Sequence, residues 1–298
     1  DGNKVIVGAY LEHAGNVDNA GSAYIFTYDG SNWDTGTKII ASNKSADAIF
    51  GRSVDINSNG TMAIVGASNG DSSTTADTGT AYIYTYDGSN WNETKLLEAS
   101  DRASGDEFGF DVAMNSSGTK VIVGAYTEHA GGLDNAGAAY IYTYDGSNWN
   151  EQKIVAFDKE AGDDFGVSVG MNPDGTKVIV GAYLEHARNI SNTGSAYIYN
   201  YDGSNWDTGT KIRAPDGVSD DRFGRSVAIN SDGSKVSVGA YLADQGTNGN
   251  AGAAYIFTRD TTHHLTTDLK LQSNTWHNLT YAYQGEGGSK VTYLDGRK

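Results

Sequence analysis

The chain contains no cysteine. That excludes a disulfide framework and a thiolate nucleophile, and it leaves the redox compartment unread. Basic residues are few, 21 Lys and Arg against 37 Asp and Glu, for a net charge of −16. Nucleic acid and anionic membrane select basic patches, so neither is an expected partner. No apolar run reaches the length of a membrane span. No G-x-S-x-G, H-E-x-x-H or phosphate loop appears, so the sequence offers no catalytic constellation and the chain is read as not an enzyme. There is no signal peptide at the start. The first residues, "DGNKVIVGAY", are the back half of a unit that recurs downstream, and the chain is expected to be a piece of a longer protein.

Proline is also rare, with 2 residues against 39 glycines, and the glycines fall at regular intervals. The Gly of "VGA" stands at Gly8, Gly66, Gly124, Gly181 and Gly239. The Phe of "FG" stands at Phe50, Phe108, Phe165 and Phe223, and the Trp of "SNW" at Trp33, Trp91, Trp149 and Trp206. All three landmarks keep a period of 57 or 58 residues, a spacing that internal duplication explains and chance does not.

Each period reads as four strands. In "FGRSVDIN", Val54 and Ile56 alternate with polar neighbours, the pattern of a half-buried strand. An Asn-x-x-Gly turn follows, where Gly60 supplies the positive φ of a tight hairpin. "MAIVGA" is apolar on both sides, as a strand buried on two faces should be. After a loop of about a dozen residues, "AYIYTYD" places Tyr82, Tyr84 and Tyr86 on one face. "DGSNW" then turns the chain into "ETKLLEA". No segment carries a helical period. The fold expected is all-β, a β-propeller of four-stranded antiparallel blades, with about five blades represented. Residues 50–107, 108–164 and 165–222 should each form one sheet with the "FG" strand innermost. The Tyr-rich face of one blade should cover the small-residue face of the next. The four repeated Trp residues should fill equivalent buried gaps.

The pattern "FGxSVxxNxxGxxVxVGA…GxAYIYxYDGxxW" resembles the FG-GAP repeat family, related to the integrin alpha-chain head, over about residues 1–260. The resemblance implies a propeller, commonly seven-bladed, on secreted or cell-surface proteins that bind other molecules. One departure stands out. Integrin-type repeats often carry an Asp-rich calcium loop between strands one and two, but "NSNGT", "NSSGT", "NPDGT" and "NSDGS" hold too few carboxylates to wrap Ca²⁺. Over residues 261–298 the wording changes. "NTWHNLTYAY…KVTYLDGRK" resembles the late strands of a laminin-G or concanavalin-like domain. The last repeat lacks a fourth strand after "AAYIFTRD", so this stretch is either a partial domain or a supply of outer closing strands.

Three groups of candidate site residues stand out. The loops after strand two, Leu11–Gly21, Ser68–Gly79, Thr127–Gly137, Leu184–Gly194 and Leu242–Gly252, are long and vary more than the strands. They gather on one end, and loops on a rigid scaffold commonly bind. Glu12, His13, Asp18, Glu128, His129, Asp134, Glu185 and His186 lie on them, facing a protein partner, a glycan or a neighbouring subunit. Glu-His pairs can also be inherited from a duplicated ancestor without a role. In the connectors between blades, Asp101, Asp158 and Asp216 (Asn43 in the first copy) stand seven residues before each Phe. Asp106, Asp163 and Asp221 stand two before it. Such pairs could hold Ca²⁺ or cap turns; no cofactor is required. Sequons fall at Asn43, Asn59, Asn92, Asn115, Asn189 and Asn278, with Asn59 and Asn115 expected on the same exposed hairpin of successive blades. The function expected is a non-enzymatic extracellular or cell-surface binding or structural module. The alternative is a carbohydrate-binding accessory region of a larger secreted enzyme.

Overall fold

The computed structural model describes residues 2–186, 190–244, 249–259, 265–272, 280–282 and 291–293. Its strands fall into successive antiparallel sheets, one per repeat. The first has three strands, β1 (Lys4–Ala9), β2 (Ser22–Thr27) and β3 (Thr37–Ile39). The second is β4 (Val54–Ile56), β5 (Met62–Ala67), β6 (Thr80–Tyr86) and β7 (Trp91–Leu97). The third is β8 (Val112–Met114), β9 (Lys120–Ala125), β10 (Ala138–Tyr144) and β11 (Trp149–Ile154). The fourth is β12 (Phe165–Met171), β13 (Lys177–Ala182), β14 (Ser195–Asn200) and β15 (Thr210–Ile212). Each of the three four-stranded sheets runs in chain order from its "FG" strand outward, and β4, β8, β12 and β16 contact one another in series. The three whole blades predicted from the period are therefore present.

The fifth sheet contains β16 (Phe223–Ile229), β17 (Lys235–Ala240) and β18 (Ala253–Arg259). Its fourth strand, β19 (Leu265–Gln272), comes from beyond the last recognisable repeat and pairs Ala253 with Gln272 and Arg259 with Leu265. The final stretch thus supplies an outer strand. Two short strands, β20 (Thr280–Ala282) and β21 (Val291–Tyr293), pair with each other. Trp276, Asn278, His263 and His264 lie outside the described residues, as does Asn189.

The core lies between the blades. Ile64, Ala81, Ile83 and Leu97 of the second blade pack against Phe108, Val121, Val123, Tyr140 and Tyr142 of the third. The same arrangement recurs at the other junctions. The direction is opposite to the one expected from the sequence, because the Tyr face covers the Ile/Ala face of the preceding blade. The hydroxyls explain why. Tyr84, Tyr142 and Tyr199 each donate to a backbone carbonyl at the end of the preceding blade, on Ile40, Glu98 and Val155, at 2.7–2.9 Å. A buried Tyr needs a partner for its hydroxyl, and the preceding blade's carbonyl supplies one in all three copies, joined by the blade's own Glu93 and Glu151 for Tyr84 and Tyr142. The repeated Phe is fully buried in all four copies and meets two aromatic rings edge-on; Phe108 lies 5.4 Å from Tyr140 and 6.1 Å from Tyr142.

The repeated Trp residues occupy equivalent positions, each 5.3 Å from the Tyr five residues before it. They are not a buried set. Trp206 is buried, but Trp33 is 47% exposed and Trp91 and Trp149 are half-buried. The Trp sits at the outer hairpin, where it covers its own blade's Tyr, and the gap between blades is filled by Phe instead.

The two glycine landmarks are one requirement seen twice. A Cβ on Gly124 would overlap the carbonyl oxygen of Gly166 in the next blade, and the same holds for Gly8 with Gly51, Gly66 with Gly109 and Gly181 with Gly224. Gly166 itself has φ of 99°, a conformation that side chains resist. Gly239 faces no following repeat, and its nearest neighbour would be Ser226 Cβ at 3.6 Å. The opposite end of the array is uncovered too. Val5 and Val7 are 42% and 48% exposed, whereas their equivalents Val121, Val123, Val178 and Val180 are fully buried.

Two outcomes follow for stability. Gly124→Ala should cost about 3 kcal/mol or more, because backbone rather than a flexible side chain must move, while Gly239→Ala should change the denaturant midpoint little. Equal losses would refute the close-approach argument. Phe165→Ala should cost about 3–5 kcal/mol, and Trp149→Ala clearly less, as read by urea titration of each variant.

Candidate functional site

Strand two ends, strand one begins and the blade connectors cross at the same end of every sheet: Phe165 pairs with Ala182 and Phe223 with Ala240. The "loop end" therefore combines the five long loops with the connectors. Parallel bridges join the last loop residue to the next blade's Phe, Gly21 to Phe50, Gly79 to Phe108, Gly137 to Phe165 and Gly194 to Phe223.

The Glu of each "EHA" word points inward. Glu128 and Glu185 are buried. Glu128 meets Lys153 Nζ at 2.6 Å, and the same ammonium reaches Asp101 at 2.7 Å. Asp101 also accepts the Tyr140 hydroxyl at 2.8 Å. The fourth blade repeats the set: Lys211 bridges Glu185 at 2.5 Å and Asp158 at 2.8 Å, and Tyr197 donates to Asp158 at 2.8 Å. In the first blade Glu12 pairs with Lys38 at 2.5 Å and accepts from Tyr24 and Ser22. These carboxylates join a loop, strand three, strand four and the preceding connector. In the second blade the set disappears as a whole: Asn43, Gly70 and Leu96 stand where the acids and lysine would be, and Tyr82 donates to Asn43 at 2.7 Å. A buried carboxylate without its lysine would be costly, so in this blade the acids and the lysine are lost together; the fifth blade keeps Asp216 while Ala243 replaces the loop glutamate.

Environment separates the repeats. Bonds from Lys38 and Ser22 hold the Glu12 carboxyl down at about 2. Burial, only partly offset by Lys153, holds Glu128 above its usual range. Glu128 Oε2 has no partner, and the reason is in the sequence: Ser22 and Ser195 serve Glu12 and Glu185, but the third blade has Ala138 there. Burial opposes ionisation of Asp101 and Asp158, yet the bonds from Lys153 and Lys211 hold both below the ordinary value.

The second connector acid closes a turn. Asp106 Oδ2 accepts from Ala103 N at 2.5 Å, Asp163 from Glu160 N at 2.6 Å and Asp221 from Val218 N at 2.8 Å. Burial, with Glu185 nearby, raises Asp163 to about 6. Asp216 accepts the Tyr255 hydroxyl at 2.8 Å. Among the described residues no group of three or more His, Asp or Glu side chains is arranged to hold a metal ion. In the third and fourth blades a lysine ammonium stands between the connector acid and the loop glutamate. The histidines of the three "EHA" words are exposed. His13 lies 3.8 Å from Asp18, and His129 lies 3.5 Å from Asp134, all four well exposed. His186 Nδ1 lies 3.1 Å from the Leu184 carbonyl oxygen.

Sequence reasoning passed over a second set at this end. Arg52 lies over Phe110 at 4.3 Å and Tyr10 at 5.6 Å. Arg225 lies 5.9 Å from Phe110 and 5.6 Å from Tyr183. Arg222 lies 5.9 Å from Tyr183 and 5.6 Å from Tyr241, whose hydroxyl it also meets. Phe110 packs against Tyr126, with ring centroids 4.5 Å apart and the planes tilted by 60°. The string runs from the first blade to the fifth. Tyr126 bonds Glu107 and Tyr183 bonds Asp164. Burial raises both acids, Asp164 to about 6. The available signal was the position on each side of the constant "FG": Ile49, Glu107, Asp164 and Arg222 before it, and Arg52, Phe110, Val167 and Arg225 after it.

The other end carries the short hairpins. Asn59 and Asn92 are exposed and Asn43 is exposed at the loop end. Asn115 is buried, which corrects its expected place on an exposed hairpin. It aligns with Asn57 rather than Asn59, and its Oδ1 accepts Lys120 N at 2.9 Å to hold the turn. A cleft of about 330 Å³ opens here between Gly2–Lys4 and Ile56–Gly60. At the other junctions this is the place of the preceding repeat's hairpin: Ser58 N donates to Ser116 O, and Ser116 N to Pro173 O. The cleft is a gap in the stacking and is remote from the loop end.

Blades of four antiparallel strands, each latched to the one before, define a β-propeller. The chain belongs to the FG-GAP repeat family, whose model matches residues 33–84, 91–142, 149–199 and 206–257. No curated protein matches it. Among solved structures, it is similar to the hydrazine synthase of Kuenenia stuttgartiensis, at 10% identity and a TM-score of 0.51, over 85% of this chain and 60% of that one. It thus spans less than two thirds of that chain. It is also similar to a candidate 6-phosphogluconolactonase of Bacteroides uniformis, at 12% identity and a TM-score of 0.53, over 97% of this chain and 81% of that one. At such identities the likeness is one of fold. No helix among the described residues is long and apolar enough to cross a membrane.

Ala138→Ser should give Glu128 the partner that Ser195 gives Glu185, and should raise stability by about 1 kcal/mol; a loss on chemical denaturation would show that the Glu128 pocket cannot take the hydroxyl. A carboxyl whose folded-state pKa is raised binds its proton more tightly when folded, so its contribution is full below about pH 4 and is lost as pH rises towards 6. Asp163→Asn should therefore stabilise the protein at pH 7.5 by about 1–3 kcal/mol and change little at pH 4. Urea midpoints across this range measure both.

Proposed function

We propose that this chain is a non-enzymatic binding module of an extracellular or cell-surface protein, which mediates adhesion or assembly through the loop end of its blades. The propeller supports a binding or structural module, and the observation that carries the choice of face is the Arg–aromatic string. Three of the eight arginines of a chain with net charge −16 converge there. The exposed His13, Asp18, His129 and Asp134 ring the same end. The integrin-like head and the laminin-G-like tail belong to this reading as expectations from resemblance. A second reading, a carbohydrate-binding accessory region of a larger secreted enzyme, uses the same end and is favoured by the exposed rings of Tyr10 and Tyr241.

Because the chain has no cysteine, a single introduced thiol can be blocked selectively. Leu133→Cys lies in a loop of the binding end, and Ser147→Cys lies on the exposed outer turn of the same blade. Each is coupled to a long polyethylene glycol maleimide, and beads coated with the protein are scored for attachment to cell surfaces of the source organism. Blockade at residue 133 but not at 147 is expected. Blockade only at 147, or at neither, overturns the choice of face.

A further inference from the structure

The guanidiniums of Arg52, Arg222 and Arg225 make few direct polar contacts, although Glu107 and Asp164 feel the charges of Arg52 and Arg225. Among the described residues no carboxylate lies within 4 Å of any of them, in contrast to Lys38, Lys153 and Lys211. No side-chain hydrogen bond from Arg52 or Arg225 is present among the described residues. Arg222 makes one to the Tyr241 hydroxyl and keeps a buried Nε–H with no partner. Each instead lies against aromatic rings, which leaves most of the N–H donors on the planar edge of the fork unspent. A fork held in this way is set for a planar anion, which it can bind bidentately.

The groups around the forks narrow the ligand. Glu107 and Asp164 stand in the same string, hydrogen-bonded to Tyr126 and Tyr183. A dense polyanion would meet repulsion from these carboxylates. A chain whose anionic groups alternate with hydroxyls would not, because a carboxylate accepts from a hydroxyl. The rings of Tyr10 and Tyr241, 41% and 44% exposed, flank the forks and offer the apolar faces on which sugar rings stack. Resting on the reading of the loop end as the binding face, we infer that the Arg52–Phe110–Arg225–Tyr183–Arg222 string is a binding site for an acidic polysaccharide, with the forks on sugar carboxylates or sulfates and the acids on sugar hydroxyls.

Binding to the full chain is measured by calorimetry with polygalacturonate, with neutral dextran and with poly-glutamate as probes. Polygalacturonate should bind, with affinity falling as salt rises; dextran should not bind, and poly-glutamate should bind at least tenfold more weakly. Arg225→Gln and Arg52→Gln should each weaken binding by roughly tenfold or more, the loss expected for one charge-assisted bidentate contact. Arg52→Lys, which keeps the charge and the stem, should weaken it less. Arg213→Gln, on an exposed residue elsewhere, should leave it unchanged, and thermal midpoints show that each variant is folded. No binding of polygalacturonate, equal binding of poly-glutamate, or affinity indifferent to Arg52 and Arg225 overturns the inference. If the inference fails while the glycol at residue 133 still blocks attachment, the face stands and only the ligand class falls.

Discussion

Where one blade meets the next, the carbonyl of the Phe-Gly glycine occupies the space that a Cβ on the Val-Gly-Ala glycine would need. This backbone contact sets how near the sheets approach on the inner side, and much else is tuned to that distance. Phe108 can then reach between Tyr140 and Tyr142, and the Tyr142 hydroxyl can span to the Glu98 carbonyl at 2.9 Å. The inner strands add a smaller relay. Ser53 Oγ accepts from Val112 N, Asp111 from Val169 N and Ser168 Oγ from Val227 N, so the fourth residue of each "FG" word holds the next blade. Widening the approach by a single methyl group would strain all of these at once, which is why the glycines recur in pairs.

Polar latches on the loop side work differently. They bury charge, and burial alone penalises Glu128 and Asp163. Their value lies in geometry more than in stability, since an ion pair withdrawn from water gains little net energy but tolerates few alternative arrangements. Lys153 ties a loop, a connector and two strands to one point. The second blade shows the fold surviving without the set, with an uncharged Asn43–Tyr82 bond in its place. Stacking is thus carried by the apolar faces, while the charged latches hold the loop end in one shape.

Strand order and blade count were legible because burial on two faces writes itself as repeated apolar words. Role assignments were less so. Trp149 looked like core because it is large and recurs, yet recurrence records an equivalent environment, which here is the outer hairpin. Asn115 looked accessible because it lies in a turn, yet an Asn in a tight turn is often its internal clamp. Glu128 and Glu185 looked like ligands on a loop; their lysine partners lie 25 and 26 residues away along the chain, and only the strand register brings them together. The fourth strand of the fifth blade was legible only as one of two alternatives, since β19 pairs by backbone and needs no repeated side chains.

The Arg–aromatic string was missed because it is built from the residues that break the pattern. Positions constant from blade to blade are held by packing: the glycine contact and the Phe wedge admit one residue type each. The positions beside "FG" point to the same region of every blade but carry no such demand, so Ile49, Glu107, Asp164 and Arg222 can differ freely, as can Arg52, Phe110, Val167 and Arg225. A repeat that stacks copies around common inner strands brings these unconstrained positions side by side, from residues more than a hundred apart in the chain. Arg52 and Arg225 meet on the same Phe110 ring for this reason alone. Constancy in this molecule marks the demands of stacking, and the variable residues converging on the inner end of that stack are where chemistry can be placed without disturbing it.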